Sequence, residues 1–287
     1  MLPTIPQAKT VKIIYGAYVA AFLVYLFAPL LVVALFAFND STFPSPPWNG
    51  FTLGWFLNPG PERVGLLYNE PLTQSIAVSL QVSVAVTLLS VTVGTCNSFL
   101  FERHNFPLRG VLYMMMLWPL VIPGVILGIS ILAFSSVVAD AVENLLGVDA
   151  EILRPGLPLV VLGQFAFITT IATLIISARL RKFDRTLEEA ALNLGASRWT
   201  AIRTVTLPYL LPSLIGAAVI AFLMSFENFN TTLMLVGSDA PLTIQLYSMM
   251  REGSTPVVNA VSVALMGGSA LLVMALIFTR RERRQDV

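Results

Sequence analysis

The sequence contains six long apolar stretches, each sufficient to cross the hydrocarbon core of a bilayer as a helix. A transmembrane helix needs about 20 predominantly apolar residues. The predicted spans are residues 13–38, 75–101, 111–138, 156–176, 209–236 and 258–278. Each run is continuous, whereas a membrane β-barrel has strands of alternating polarity. We therefore expect an all-α polytopic membrane protein with six transmembrane helices.

Charged residues are rare and unevenly placed. They make up 11% of the chain, against about 25% in soluble globular proteins. With the N-terminus inside, every Lys and Arg except Arg63, Arg154 and Arg251 falls in an inner segment. The positive-inside rule therefore predicts that both termini are cytoplasmic. The expected division is a cytoplasmic segment 1–12, a membrane domain 13–279 and a basic cytoplasmic tail 280–287.

The longest inner loop, residues 179–206, has the pattern of a short helix ended by a glycine. Its apolar residues recur at helical spacing: Leu187, Ala190, Ala191 and Leu194. Asp184 or Thr186 can cap the start of this helix, and Thr186 with Glu189 fits a capping box. Gly195 can end it, because glycine adopts the left-handed conformation at little cost.

A second short helix is expected after this glycine. Ser197 can cap its start, and its apolar face would consist of Trp199, Ile202 and Val205. Pro208 would end the unit and begin the next span. The pattern alone leaves two interpretations open: a helix that docks on a partner, and an ordinary amphipathic loop at the membrane surface.

The same loop resembles the EAA motif of binding-protein-dependent ABC importer permeases. The matching elements are Glu189-Ala190-Ala191, Gly195 and Val205-Thr206-Leu207-Pro208. The family pattern has Ile where Val205 stands, which is a conservative departure. The stretches 118–132 and 243–266 are also similar to the spermidine/putrescine permease group. The resemblance is strongest to the second permease subunit of these polyamine-type systems.

This resemblance implies that residues 179–206 form a coupling loop that docks on a cytoplasmic ATPase subunit. The implied ATPase-coupling residues are Glu188, Glu189, Ala190, Ala191, Gly195, Ala196, Ser197, Leu207 and Pro208. The implied partners are a second permease subunit, two cytoplasmic ATPase subunits and an external or periplasmic solute-binding protein, in a bacterial cytoplasmic (inner) membrane. No nucleic acid is expected.

We expect no enzyme activity, cofactor or metal in this chain. The sequence has no Gly-rich phosphate loop ending in Gly-Lys-Ser or Gly-Lys-Thr, so ATP and Mg would be used by the partner ATPase subunits. A membrane-embedded enzyme would need a reactive constellation in its spans, and Glu227 alone does not make one. An ion-driven secondary transporter is the alternative function. Such transporters usually carry inverted repeats, and the sequence shows none.

Polar and helix-bending residues inside the predicted spans are the candidates for the solute path. They are Glu227, Asn228 and Asn230 in the fifth span, and Pro119 and Pro123 in the third. The alternatives are contacts with the other permease subunit and static kinks. Polyamine permeases tend to have Asp near Glu227, so the substrate is expected only to be small, polar and amine-bearing: a polyamine, an amino acid or an opine-like compound.

Overall fold

The computed structural model describes residues 9–60, 63–253 and 255–285, and these ranges are mainly helical. The only β pairing among them is an isolated antiparallel bridge between Asn39 and Phe51. The α-helices are α1 Lys9–Phe36, α2 Gly54–Leu57, α3 Glu70–Arg103, α4 Arg109–Val121, α5 Gly124–Leu146, α6 Leu157–Leu180, α7 Thr186–Asn193, α8 Arg198–Ala201, α9 Leu207–Phe226, α10 Asn230–Leu235, α11 Leu242–Glu252 and α12 Pro256–Gln285. The all-α fold class is confirmed.

Five helical stretches of the described chain are long and apolar enough to cross a membrane. They are α1, α3, α5, α6 and the continuous stretch Arg198–Phe226. Shorter apolar helices are α4 and the segment Pro256–Leu271 of α12. The predicted sixth span, 258–278, lies within α12, so the count of six stays a prediction. The predicted terminal segments 1–12 and 280–287 extend into residues 1–8 and 286–287, which lie outside the described residues.

Two predicted spans are each divided into two helices, and for the fifth span this corrects the expectation of one continuous helix. The span 111–138 is split into α4 and α5 at Ile122 and Pro123, whose backbones are extended with ψ of 128° and 134°. Proline disfavours helical geometry in the residue before it, which explains the extended Ile122. The span 209–236 is split into α9 and α10 at Glu227–Phe229.

Within the described residues the chain forms two compact units, 9–73 with 248–282, and 74–247 with 283–285. In the first unit, the segment between α1 and α3 is held together by side-chain contacts. Asn39 is fully buried, and its backbone oxygen accepts a 2.9 Å hydrogen bond from the Trp55 indole. The Arg63 guanidinium lies 4.8 Å from the Trp55 ring centre and pairs with Asp40.

In the second unit, α6 is the most deeply buried of the five candidate spans. One cluster of buried apolar residues is formed by Val78, Val82, Val86, Leu159, Val160, Ile168, Ala221 and Leu235. Another is formed by Ala172, Ile176, Leu180, Phe183, Leu210 and Ala217. Glycines allow α10 to pack closely on α5 and α6. A Cβ atom would lie 2.9 Å from the Met234 Cβ at Gly128, and 2.3 Å from Leu235 at Gly163. Small residues permit this close backbone approach in membrane helices.

Candidate coupling loop and solute path

The first helix of the coupling loop, α7, begins after an aspartate cap. The Asp184 carboxylate accepts a 3.0 Å hydrogen bond from the backbone N–H of Thr186. This bond lowers the pKa of Asp184, because it stabilises the charged carboxylate. The predicted capping box of Thr186 with Glu189 is wrong. A capping box needs Thr186 to precede the helix, but Thr186 is the first helical residue and its N–H donates to Asp184.

The end of α7 is the predicted glycine turn. Gly195 has a φ of +90°, in the left-handed region that glycine adopts at no steric cost. Its N–H donates to the Leu192 oxygen at 2.9 Å, and the Ala196 N–H donates to the Ala191 oxygen at 3.1 Å. These two bonds form a Schellman motif, which satisfies carbonyls that a helix end would leave unpaired.

The second helix of the loop continues without a break into the membrane. Ser197 caps α8 as predicted, because its Oγ accepts a 3.1 Å hydrogen bond from the Thr200 N–H. A π-helical turn, Ile202–Thr206, then joins α8 to α9. Leu207 and Pro208 form the first turn of α9, so Pro208 begins the next span as predicted. The expectation that Pro208 also ends the loop unit is wrong, because the helix from Arg198 to Phe226 is continuous across it.

The apolar residues of the coupling loop are largely uncovered. Leu187, Leu194 and Trp199 are 52%, 89% and 68% exposed, and Glu189 and Ala190 are exposed beside them. The predicted helical stripe is therefore not buried within this chain. Exposed apolar surface rimmed by polar residues marks an interaction site.

Glu188, one residue before the EAA motif, points inward instead. Its carboxylate accepts hydrogen bonds from Arg103 at the end of α3, at 2.6 Å from Nη1 and 3.0 Å from Nη2. The Thr206 hydroxyl also donates to it. Burial acts to raise the pKa of Glu188, but the bonds from Arg103 and Thr206 and the charges of Arg103 and Arg185 lower it overall.

Further contacts attach the coupling loop to the same end of α3. The Arg103 guanidinium lies 5.8 Å from the Phe99 ring centre and 5.4 Å from that of Phe183. Arg181 pairs with Glu102 at 2.8 Å, and Arg185 donates to the Glu102 backbone oxygen at 2.9 Å. No pattern in the sequence predicts this attachment to α3.

The candidate path residues gather at the two helix breaks. Asn228 caps α10, because its Oδ1 accepts hydrogen bonds from the N–H and hydroxyl of Thr232, at 3.2 and 2.9 Å. Glu227 and Asn230 flank this cap and are exposed. The Gly124 oxygen, directly after Pro123, accepts a 3.3 Å hydrogen bond from Thr231. The two breaks are therefore adjacent, whereas Pro119 lies inside α4, one turn before its break.

A buried amide that the sequence analysis overlooked lies behind these breaks. Gln164 in α6 is only 1% exposed. Its Nε2 donates to the Thr232 hydroxyl at 2.9 Å, and its Oε1 accepts from the Ser225 hydroxyl. An amide inside an apolar run was the signal that could have identified it, since buried polar groups need partners.

The fold and the loop together define a helical membrane protein with an exposed candidate docking segment between α6 and α9. Comparison with known proteins gives the class. Residues 87–284 match the family described as the inner membrane component of binding-protein-dependent transport systems. The chain belongs to this family.

Relatives and solved structures agree with this membership. The chain is 27% identical over 250 residues to the putrescine transport system permease protein PotI of Escherichia coli (strain K12), covering 86% of this chain and 84% of that protein. It is 25% identical over 273 residues to the spermidine/putrescine transport system permease protein PotC of the same strain, covering 95% and 96%.

The fold is similar to that of a bacterial alginate ABC transporter solved in complex with an alginate pentasaccharide-bound periplasmic protein. The TM-score is 0.68 at 16% identity, covering 96% of this chain and 94% of that chain. The resemblance to importer permeases is thus confirmed. The chain is a transmembrane permease component of an ABC importer and is not itself an enzyme.

Proposed function

We propose that this chain is one of two permease subunits in an importer that carries a small amine-bearing solute across the inner membrane. A second permease subunit completes the path, and a solute-binding protein delivers the solute from outside. Two cytoplasmic ATPase subunits bind ATP and Mg. Both termini of this chain lie in the cytoplasm, on the same side as the coupling loop.

The observation that carries this proposal is the uncovered coupling loop, which leads directly into a membrane helix. Leu187, Leu194 and Trp199 present apolar surface to a partner, and Glu189 adds a carboxylate among them. The helix from Arg198 to Phe226 is continuous, so movement of its first turns is transmitted along the whole span. A motor docked on this loop can therefore move α9 without any chemistry in this chain.

Alternating access follows from this arrangement. ATP binding draws the two ATPase subunits together and pulls the coupling loop with them. The pull tilts α6 and α9, which flank the loop, and opens the path toward the binding protein. Hydrolysis then releases the loop and returns the path to the cytoplasmic side.

The solute class is supported by the chemistry at the break between α9 and α10. The exposed Glu227 carboxylate makes no ion pair with any residue that the structure describes. An exposed carboxylate within a predicted membrane span is suited to attract an ammonium group. PotI and PotC, whose names specify putrescine and spermidine, agree with such a cargo.

Reconstitution of the purified complex in liposomes tests this proposal. We expect the ATPase subunits to co-purify with this chain, and the solute-loaded binding protein to stimulate both ATP hydrolysis and uptake of a polyamine, amino acid or opine-like amine. A thermal-shift screen of the binding protein identifies which amine to use. Uptake driven by an ion gradient, with no ATPase bound, would contradict the proposal and favour a secondary transporter.

A further inference from the structure

We infer that Arg103, Glu188 and Thr206 form a positioning cluster that links the coupling loop to α3 as well as to α9. This inference rests on the proposed function. In that function the loop moves α6 and α9, the two spans that flank it in the chain. The cluster gives the loop a further attachment, on the cytoplasmic end of α3.

The bonding geometry makes this attachment directional. The two guanidinium nitrogens of Arg103 donate to the two carboxylate oxygens of Glu188. Such fork-like pairing fixes the relative orientation of the two side chains as well as their distance. It therefore holds α7 at a defined angle to the end of α3, which a single hydrogen bond would not do.

Burial makes the attachment hard to break. The side chains of Arg103 and Glu188 are only 14% and 16% exposed, and the rings of Phe99 and Phe183 lie against the guanidinium. Separating the pair would leave an uncompensated charge that is largely shielded from water. The neighbouring Arg181–Glu102 pair differs, because Arg181 is 58% exposed and exposed pairs are weak and readily exchanged.

Thr206 connects the same carboxylate to the start of α9. It is fully buried and ends the π-helical turn, and its hydroxyl donates to the Glu188 Oε1. π-helical turns inside α-helices are frequent at functional sites. One carboxylate on α7 therefore receives hydrogen bonds from α3 and from the turn that leads into α9, so displacement of α7 acts on both spans together.

Charge reversal and charge exchange test the link in the reconstituted complex. The variants are Arg103→Glu, Glu188→Arg and the double exchange, and the readout is solute uptake per ATP hydrolysed. We expect each single variant to lower this ratio by at least about fivefold, the lower end of typical coupling effects, while ATPase subunits remain bound. The double exchange should recover most of the loss, because the pair re-forms with opposite polarity.

Matched controls separate coupling from general damage. Arg109→Glu places the same charge change on the same inner side, at an Arg whose side chain bonds only Asn105 among the described residues, in a solvent-exposed contact. Thr206→Val removes only the cluster hydroxyl. Thr204→Val makes the same change in the same π-helical turn, where the hydroxyl bonds the Thr200 oxygen and is exposed. We expect Thr206→Val to lower the ratio, and Arg109→Glu and Thr204→Val to leave it unchanged.

Three results would overturn the inference: wild-type ratios in both single variants, no recovery in the double exchange, or equal effects of Thr204→Val and Thr206→Val. If charge reversal prevents assembly of the complex, the milder variants Arg103→Lys and Thr206→Val test the link instead. An unchanged uptake per ATP hydrolysed in both of them would contradict it. A wild-type complex without bound ATPase would instead refute the proposed function.

Discussion

The Gln164 amide in α6 donates a hydrogen bond to the Thr232 hydroxyl in α10, across a sequence separation of 68 residues. Thr232 in turn donates to Asn228, which caps α10. The buried amide therefore holds in place the break at which Glu227 is exposed. In a membrane interior, a polar group of this kind has no water to replace a lost partner.

Replacing Gln164 with Leu should destabilise the protein by about 1–3 kcal/mol, because Thr232 and Ser225 lose a buried partner. Thermal unfolding in detergent would show this as a lowered Tm. Gln81→Leu is the matched control, since Gln81 is an exposed glutamine in α3, and its Tm should not fall. Equal Tm changes in the two variants would show that the Gln164 hydrogen bonds do not matter.

Replacing Gly195 with Val should uncouple transport from ATP hydrolysis. A β-branched residue at a φ of +90° is strained, by about 1–2 kcal/mol for a left-handed conformation, and the Schellman turn that orients α7 on α8 would be lost. Uptake per ATP hydrolysed is the measurement.

Gly147→Val provides the control for this prediction. Gly147 ends α5 with a φ of +64°, and both glycines have open space where a Cβ would stand. The backbone penalty is therefore similar, but Gly147 lies outside the coupling loop. Normal coupling in Gly195→Val, or equal loss in both variants, would speak against a special role for the Gly195 turn.

Replacing Glu227 with Gln should weaken solute recognition more than turnover. The variant keeps the side-chain shape but loses the charge that would attract an ammonium group, and hydrogen bonds to charged groups contribute about 1.5–3 kcal/mol. We expect a raised KM for uptake with kcat nearly unchanged, and Glu227→Asp should be much less affected. An unchanged KM in Glu227→Gln would remove this carboxylate from the solute path.

The cluster of Arg103, Glu188 and Thr206 should stabilise the folded protein at neutral pH and lose this stabilising effect only in acid. The pKa of Glu188 is lowered from its usual value of 4.5, so the folded state binds a proton less readily than the unfolded chain. The contribution of Glu188 to the free energy of unfolding is therefore fully present above about pH 5. It is lost as the pH falls through the lowered pKa of Glu188.

The measurement is the Tm difference between the wild type and Glu188→Gln as a function of pH. We expect a constant difference between about pH 6 and 8, narrowing on acidification below the usual pKa. A difference that grew on acidification would mean that the neutral form of Glu188 is the one favoured by folding.

Local signals in the sequence predicted the glycine turn and the serine cap within residues 179–206. A glycine that needs a positive φ and a serine that caps a helix act within a few residues, so the Gly195 turn and the Ser197 cap could be predicted. The Asp184 cap was one of two alternatives, and the choice between them depends on where the first helical turn begins.

Long-range contacts could not be predicted in the same way. Arg103 and Glu188 are 85 residues apart, and nothing in either segment specifies the other as a partner. The break at Glu227–Phe229 was also missed, because it contains no proline or glycine. The break forms where the Asn228 side chain accepts hydrogen bonds from Thr232 and so caps α10. Gln164 in α6 stabilises this cap by donating to the Thr232 hydroxyl.

Cysteine cross-linking at Leu194 tests the central claim, that the exposed coupling loop docks on a cytoplasmic motor, most directly. Leu194→Cys is made in a Cys96→Ser background, since Cys96 is the single cysteine of the chain. Val148→Cys, at a 60% exposed position in a predicted outer segment, is the control.

We predict that Leu194→Cys cross-links to an ATPase subunit in the transporting complex and is protected from a membrane-impermeant thiol reagent added outside the cell, whereas Val148→Cys is modified from outside. External modification of Leu194→Cys, or the absence of any cross-link to an ATPase subunit during active uptake, would contradict the account.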